Sequence, residues 1–149
     1  MKIVEMDLFD VTEGIIAHQV NCQGVMGSGV AAIVKARYPQ AYQSYAELCQ
    51  RLGPSSLLGM VQPVRVTDKL TFLNVFGQAD FGKNGRNTSY DATADAWDKI
   101  GAHYGNKGEG IHIPYLMGCA LGGGDWEIYE AIVDRFCPLT TDCKLPERS

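Results

Sequence analysis

The segment from Gly14 to Val30 constrains this chain more than any other. Residues 14–20 read Gly-Ile-Ile-Ala-His-Gln-Val, a nearly continuous apolar run of the kind expected in a strand covered on both faces. Directly after it, Asn21-Cys22-Gln23-Gly24-Val25-Met26-Gly27-Ser28-Gly29-Val30 puts three glycines between that strand and a helix start. Such a turn lets backbone amides approach an anion closely, and the helix N-terminus adds partial positive charge. A pyrophosphate is the natural guest. The glycine order is G-x-x-G-x-G rather than G-x-G-x-x-G, and no G-K-[ST] follows, so neither a dinucleotide-binding fingerprint nor a P-loop is present.

The rest of the chain alternates in the same way. Lys2 to Met6 reads as a first strand. Helical spacing runs from Ser28 until it stops before Pro39, and again from Gln40 to Leu52, where Gly53-Pro54 closes it. Leu57 to Thr67 and Leu70 to Phe76 read as strands joined across Asp68-Lys69, and a polar loop follows from Gly77 to Ser89. Tyr90 to Tyr104 is predicted to be helical, Ile111 to Tyr115 a strand, and Trp126 to about Phe136 a helix capped by Asp125. A last strand near Leu139 to Leu145 completes a mixed sheet. Strands alternating with helices predict an α/β layered fold whose ligand sits beyond the carboxyl ends of the strands. With 149 residues and no linker, repeat or low-complexity tract, the expectation is one domain over residues 1–149.

Composition excludes several classes. Thirteen basic residues against 17 acidic ones, scattered rather than striped, argue against duplex nucleic acid as a partner. No apolar run suits a membrane span and the first residues carry acids, so the expectation is no membrane partner and a cytoplasmic location. Five cysteines with no Cys-x-x-Cys pair indicate neither a disulfide framework nor a zinc knuckle. No metal-ligand cluster is visible, and no metal or cofactor is expected. Seventeen glycines exceed the average share of roughly 7%.

Four of those glycines fall in a second strand, glycine loop and helix: Ile113-Pro114-Tyr115-Leu116-Met117-Gly118-Cys119-Ala120-Leu121-Gly122-Gly123-Gly124-Asp125-Trp126. Two such loops in one small domain suggest a clamp around an extended diphosphate.

In these stretches the chain resembles the macrodomain family, whose members bind ADP-ribose in a three-layer α/β/α fold. The resemblance rests on Met6-Asp7-Leu8-Phe9, on Ala17 through Ala31 with its Asn-Cys-x-Gly-x-Met-Gly-x-Gly string, and on Pro114 through Trp126. It implies that Asp7, beside Leu8, reads the adenine amino group and that Asn21 contacts the distal ribose. Gly24, Met26, Gly27, Ser28, Gly29 and Val30, with Gly118, Cys119, Ala120, Leu121 and Gly122, would hold the diphosphate and that ribose.

Within the family the chain is most similar to the small stand-alone members that include the ADP-ribose 1''-phosphate phosphatases. This likeness rests on Ile16 to Gly24, on Arg37-Tyr38-Pro39-Gln40-Ala41-Tyr42 with Tyr45 following, and on Phe76 to Gly82 leading to Tyr90-Asp91. It implies a functional pair of His18 with an aspartate, either Asp91 or Asp80, with Asn21 beside them. Histidine moves protons near neutral pH and aspartate orients it or activates water, while amides and helix termini stabilise the phosphoryl charge.

Bland roles compete with these. Asp7 could cap a turn, Asn21 could bond its own backbone, and His18 could be a buried strand histidine. Cys22 and Cys119 read as packing residues. Trp97 and Trp126 read as core, whereas Phe81 or Tyr90 could cover the distal ribose. The lysine used by related ADP-ribose-removing members falls on Gly77 or Gln78, and the loop acid of one group on Gly122, so that chemistry is disfavoured; it would need Lys83 or Arg86 to reach the site from the loop. The alternatives to a phosphatase are a non-catalytic ADP-ribose reader and a hydrolase of ADP-ribosyl or O-acetyl-ADP-ribosyl esters.

Overall fold

A computed structural model describes residues 1–27, 29–80, 87–105, 110–119 and 123–146. Six strands form one sheet in the order β1-β6-β5-β2-β4-β3. They are β1 (Lys2–Glu5), β2 (Gly14–Val20), β3 (Val61–Arg65), β4 (Leu70–Phe76), β5 (Ile111–Pro114) and β6 (Thr141–Lys144). Only the β3–β4 pairing is antiparallel, so the sheet is mixed, as its sequence predicts. The helices are α1 (Gly29–Arg37), α2 (Pro39–Arg51), α3 (Pro54–Leu57), α4 (Tyr90–Tyr104) and α5 (Trp126–Phe136).

β2 carries the architecture because it is buried on both sides. Its Ile16 and Val20 face a core built with Phe72, Phe76, Val34, Ala41, Tyr45, Leu48 and Leu57, from β4 and helices α1 to α3. Ile15 and Ala17 face a second core with Leu73, Val75, Ala96, Trp97, Ile100, Tyr129 and Val133, from β4, α4 and α5. Period-two alternation sends successive side chains to opposite cores, which is why the run is apolar throughout. The result is three layers, α/β/α.

Three boundaries depart from expectation. The chain after Gly53 forms the short helix α3, with Pro54 at its first position and Leu57 fully buried, so β3 starts at Val61 rather than Leu57. Proline is favoured at the first turn of a helix, where its missing N–H costs nothing. A 3-10 turn over Leu8–Asp10, absent from the periodicity reading, follows β1. The last strand is four residues, Thr141–Lys144.

Candidate functional site

β2 and β5 are parallel neighbours whose chains leave the sheet on opposite sides, β2 toward α1 and α2 and β5 toward α5. A crevice opens at such a divergence in open α/β sheets. Both glycine loops start there, at the carboxyl ends of these two strands.

The first loop, residues 21–27, is built around Asn21 and Tyr45. The Tyr45 hydroxyl, fully buried on α2, accepts from the amides of Gly24 and Val25, each at 3.1 Å. It donates its one proton to Asn21, whose Oδ1 stands 2.6 Å away. Asn21 Oδ1 also accepts from the Gln23 amide at 2.9 Å, and its Nδ2 donates to the Val25 carbonyl at 2.8 Å. Asn21 is therefore first a builder of its own loop, and its Nδ2 keeps a second proton for a ligand. Gly24 holds φ +80°, a left-handed conformation that favours glycine.

These bonds divide the amides of the loop. Cys22, Gln23, Gly24 and Val25 donate within the protein, Cys22 to the Ala79 carbonyl at 3.2 Å. Among the described residues, the amides of Met26, Gly27 and Gly29 donate to no other group. Val30 and its helical successors add the unpaired donors of the first turn of α1. The donors left to an anion thus run from Met26 into α1. Met26 itself is 2% exposed, so its side chain anchors the loop in the core and only its backbone faces outward chemistry. Val30 packs against the same core.

The second loop begins with Leu116 at φ +61° and Gly118 at φ +75°. A Cβ on Gly118 would lie 2.7 Å from Tyr129 Cε2, so glycine is needed for both reasons. Asp125 caps α5 by accepting from the Glu127 amide at 2.9 Å, as the sequence predicts. Cys119 is half-buried there, its thiol 3.4 Å from the Met117 carbonyl. Ser28, Ala120, Leu121 and Gly122, together with Phe81, Lys83 and Arg86, lie outside the described residues.

His18 lies in the core. It sits mid-strand in β2, 1% exposed, with Nε2 2.7 Å from Asn74 Oδ1 and its ring edge-on to Phe72. Its side chain projects into the core shared with α1 and α2, not into the crevice. Burial, opposed by the Asn74 bond, pulls its pKa down to about 4, so it is neutral at physiological pH. The expected pairing of His18 with an aspartate is not what the structure brings together.

The acids behave differently. Asp7 caps the turn at Leu8–Asp10 by accepting from the Phe9 amide at 2.9 Å, and Leu8 is 5% exposed in the core. Asp91 is exposed on the first turn of α4, and Asp80 is exposed just beyond β4. Both lie at the carboxyl end of β4, beside β2. Tyr90 reaches the second loop: its hydroxyl accepts from the Asp125 amide at 2.8 Å. Burial pushes the thiols of Cys22 and Cys119 up to about 11, in keeping with packing roles. Trp97 is fully buried, and Trp126 stacks on Tyr129. Among the described residues, no three His, Cys, Asp or Glu side chains gather as a metal-binding group, and no helix is long and apolar enough to cross a membrane.

No family model matches the chain. An ADP-ribose 1''-phosphate phosphatase of Meyerozyma guilliermondii is 35% identical over 108 residues, which span 66% of this chain and 56% of that relative. The match thus extends over little more than half of that protein's length. An ADP-ribose 1''-phosphate phosphatase of Saccharomyces cerevisiae is 27% identical over 82% of this chain and 83% of its own. Among solved structures, the Macrodomain of Thermus aquaticus DarG superposes with a TM-score of 0.75 at 18% identity, covering 98% of this chain and 99% of that one. Thermosipho africanus DarTG in complex with ADP-ribose gives 0.77 at 21% identity, over 99% of this chain and 42% of that chain.

Proposed function

We propose that this chain, which has the macrodomain fold, is a phosphatase that converts ADP-ribose 1''-phosphate to ADP-ribose and phosphate without a metal. The observation that carries the ligand is the pair of glycine loops at the ends of the neighbouring strands β2 and β5, with the amides of Met26, Gly27 and Gly29 uncommitted within the described residues. Amides and a helix terminus suit a diphosphate. The reaction type is supported by the names of the two relatives.

In this reading Asp7 and Leu8 flank the adenine, and Gly24, Met26, Gly27, Ser28, Gly29 and Val30 line the diphosphate. Gly118 and Cys119, with the loop residues Ala120, Leu121 and Gly122, are assigned to the distal ribose, which Asn21 Nδ2 orients. Water attacks the phosphorus, the bond to the ribose 1'' oxygen breaks, and that oxygen takes a proton. With His18 neutral in the core, the base that takes the proton from water is a carboxylate at the end of β4, Asp91 first and Asp80 second. The first turn of α1 offsets the charge that develops on the phosphoryl oxygens.

One observation favours a second reading: a buried, neutral His18 leaves a pocket able to bind ADP-ribose without turning it over. A phosphorus NMR time course with ADP-ribose 1''-phosphate and no added metal separates the two. Inorganic phosphate growing beyond one equivalent per protein supports the phosphatase. Shifted diphosphate resonances with no release would instead assign a reader.

A further inference from the structure

The two glycine loops are not held by the sheet alone. Gln19, the penultimate residue of β2, uses both protons of its Nε2: one to Gln78 Oε1 at 2.7 Å and one to Thr88 Oγ1 at 2.8 Å. Thr88, 2% exposed, passes its own hydroxyl proton to the Gly118 carbonyl at 2.6 Å. The chain of donors runs in one direction, from β2 through Thr88 to the second loop. Gln78 and Thr88 also face each other in an antiparallel bridge, and the Ser89 amide donates to the Gly77 carbonyl at 2.8 Å. Residues 77–79 and 87–89 therefore form a short two-legged stem.

That stem touches both loops. On one side, the Ala79 carbonyl accepts from the Cys22 amide at 3.2 Å and from Gln23 Nε2 at 3.1 Å. On the other, Thr88 holds Gly118, whose carbonyl also accepts from the Gly124 amide at 3.0 Å and so closes the second loop on itself. The fit is tight enough to require glycine. A Cβ on Gly77 would lie 2.3 Å from Gln19 Oε1, and one on Gly118 would lie 2.9 Å from the same atom.

We infer that Gln19 and Thr88 are positioning residues: they set the second glycine loop against the first through the stem, and so set the span between the diphosphate and distal-ribose ends of the site. This rests on the ADP-ribose reading above. Neither residue touches ligand in it. Both act through Gly118, whose carbonyl Thr88 holds directly and Gln19 holds through Thr88. A one-ångström misplacement of a positioned group costs on the order of a hundredfold in rate, so loss of this link is felt at the site.

Thr88→Val keeps the shape and removes the hydroxyl, Thr88→Ser restores it, and Gln19→Met removes the donors from the other end. Each folded variant is titrated calorimetrically with ADP-ribose and with AMP, which lacks the distal ribose. Amide hydrogen exchange is followed at Cys119, Gly123 and Gly124 without ligand. The expected result is that Thr88→Val and Gln19→Met weaken ADP-ribose on the order of tenfold, leave AMP unchanged and speed exchange in the second loop, with Thr88→Ser close to wild type. Equal loss for both nucleotides, or an unchanged ADP-ribose affinity, would overturn the proposal. If the unaltered chain binds no ADP-ribose, the ligand reading fails by itself. Hydrogen exchange then decides the link through Thr88: faster exchange in Thr88→Val but not Thr88→Ser supports it, and unchanged exchange rejects it.

Discussion

His18 Nε2 lies 2.7 Å from Asn74 Oδ1, and this bond fixes which nitrogen carries the proton. Asn74 Nδ2 is occupied with the Ala41 carbonyl and Gln62 Oε1, so its oxygen can only accept and His18 must donate from Nε2. The imidazole is held neutral, with a pKa near 4 against an ordinary 6.5. Between those values the unfolded chain binds the proton that the folded chain refuses. The stability His18 contributes is therefore present above pH 6.5 and lost as pH falls toward 4, by roughly 3 kcal/mol.

Asp142 on β6 opposes that dependence. Its carboxyl is fully buried, and burial, with Glu130 adding to it and Lys144 opposing, pushes its pKa from 3.8 up to about 6. Here the folded chain holds the proton more tightly, so its contribution is present below pH 3.8 and lost as pH rises through 6, again by roughly 3 kcal/mol. The two slopes cancel over most of the interval. Urea unfolding at pH 4, 5.5 and 7 should give Asp142→Asn a stability that falls steeply with acid. His18→Gln should instead show a stability that rises as pH drops from 6 to 4, with the unaltered chain flatter than either.

Tyr45→Phe tests the first loop. The change leaves the amides of Gly24 and Val25 and one lone pair of Asn21 without their partner. Buried groups left unmatched cost about 1–3 kcal/mol. Denaturant unfolding should report a loss in that range, and calorimetry a weaker grip on ADP-ribose, because Asn21 is no longer fixed from behind. Unchanged affinity in a destabilised protein would confine Tyr45 to folding.

The prominence of Tyr45 explains what the sequence could and could not disclose. β2, β4, α4 and α5 are legible because apolar runs and periodicity, the Asp125 cap of α5 and flanking glycines agree about them. The loops are legible as glycine strings. Roles that depend on which helix covers which strand are not: Asn21 and Tyr45 are 24 residues apart, and nothing local says that one hydroxyl serves three loop groups. The surroundings of His18 are hidden for the same reason. In a strand of period two, its neighbours Ala17 and Gln19 face the other side, and only packing reveals that position 18 meets Phe72 and Asn74. Gln19 and Thr88 carry no signal of their own, since a glutamine near the end of a strand and a threonine in a polar loop are ordinary.

Two glycines separate strain from collision. Gly29 holds φ +60° with open space around an added Cβ, whereas Gly118 combines φ +75° with a Cβ contact of 2.7 Å to Tyr129 Cε2. Gly29→Ala should cost about 1–2 kcal/mol, the strain of a left-handed residue alone. Gly118→Ala adds overpacking of about 1–3 kcal/mol. Paired melting curves should therefore place Gly118→Ala clearly below Gly29→Ala, and equal midpoints would contradict the tight fit on Tyr129.

The thiols should be slow. Burial pushes Cys22, Cys119, Cys137 and Cys143 each up to about 11, and raises Cys49 as well. Only the thiolate attacks an alkylating reagent. Iodoacetamide at pH 7.5 should modify the native protein far more slowly than the same chain in denaturant, followed by mass spectrometry. Rapid labelling of native Cys22 or Cys119 would mean that the loops open.

Replacing the candidate bases one at a time distinguishes a proton-transfer group from a core residue. Asp91→Asn removes a carboxylate exposed at the first turn of α4 and touches no part of either core. If Asp91 activates the water, turnover of ADP-ribose 1''-phosphate should fall on the order of a hundredfold or more, with ADP-ribose affinity retained. Asp80→Asn should then leave turnover largely intact, and the reverse pattern would transfer the role to Asp80. His18→Gln is expected to weaken the fold through the lost bond to Asn74 while the folded fraction keeps its turnover, because an imidazole 1% exposed in the core cannot exchange a proton with substrate. A folded His18→Gln protein with no turnover would return the histidine to the mechanism and require β2 to open during the reaction.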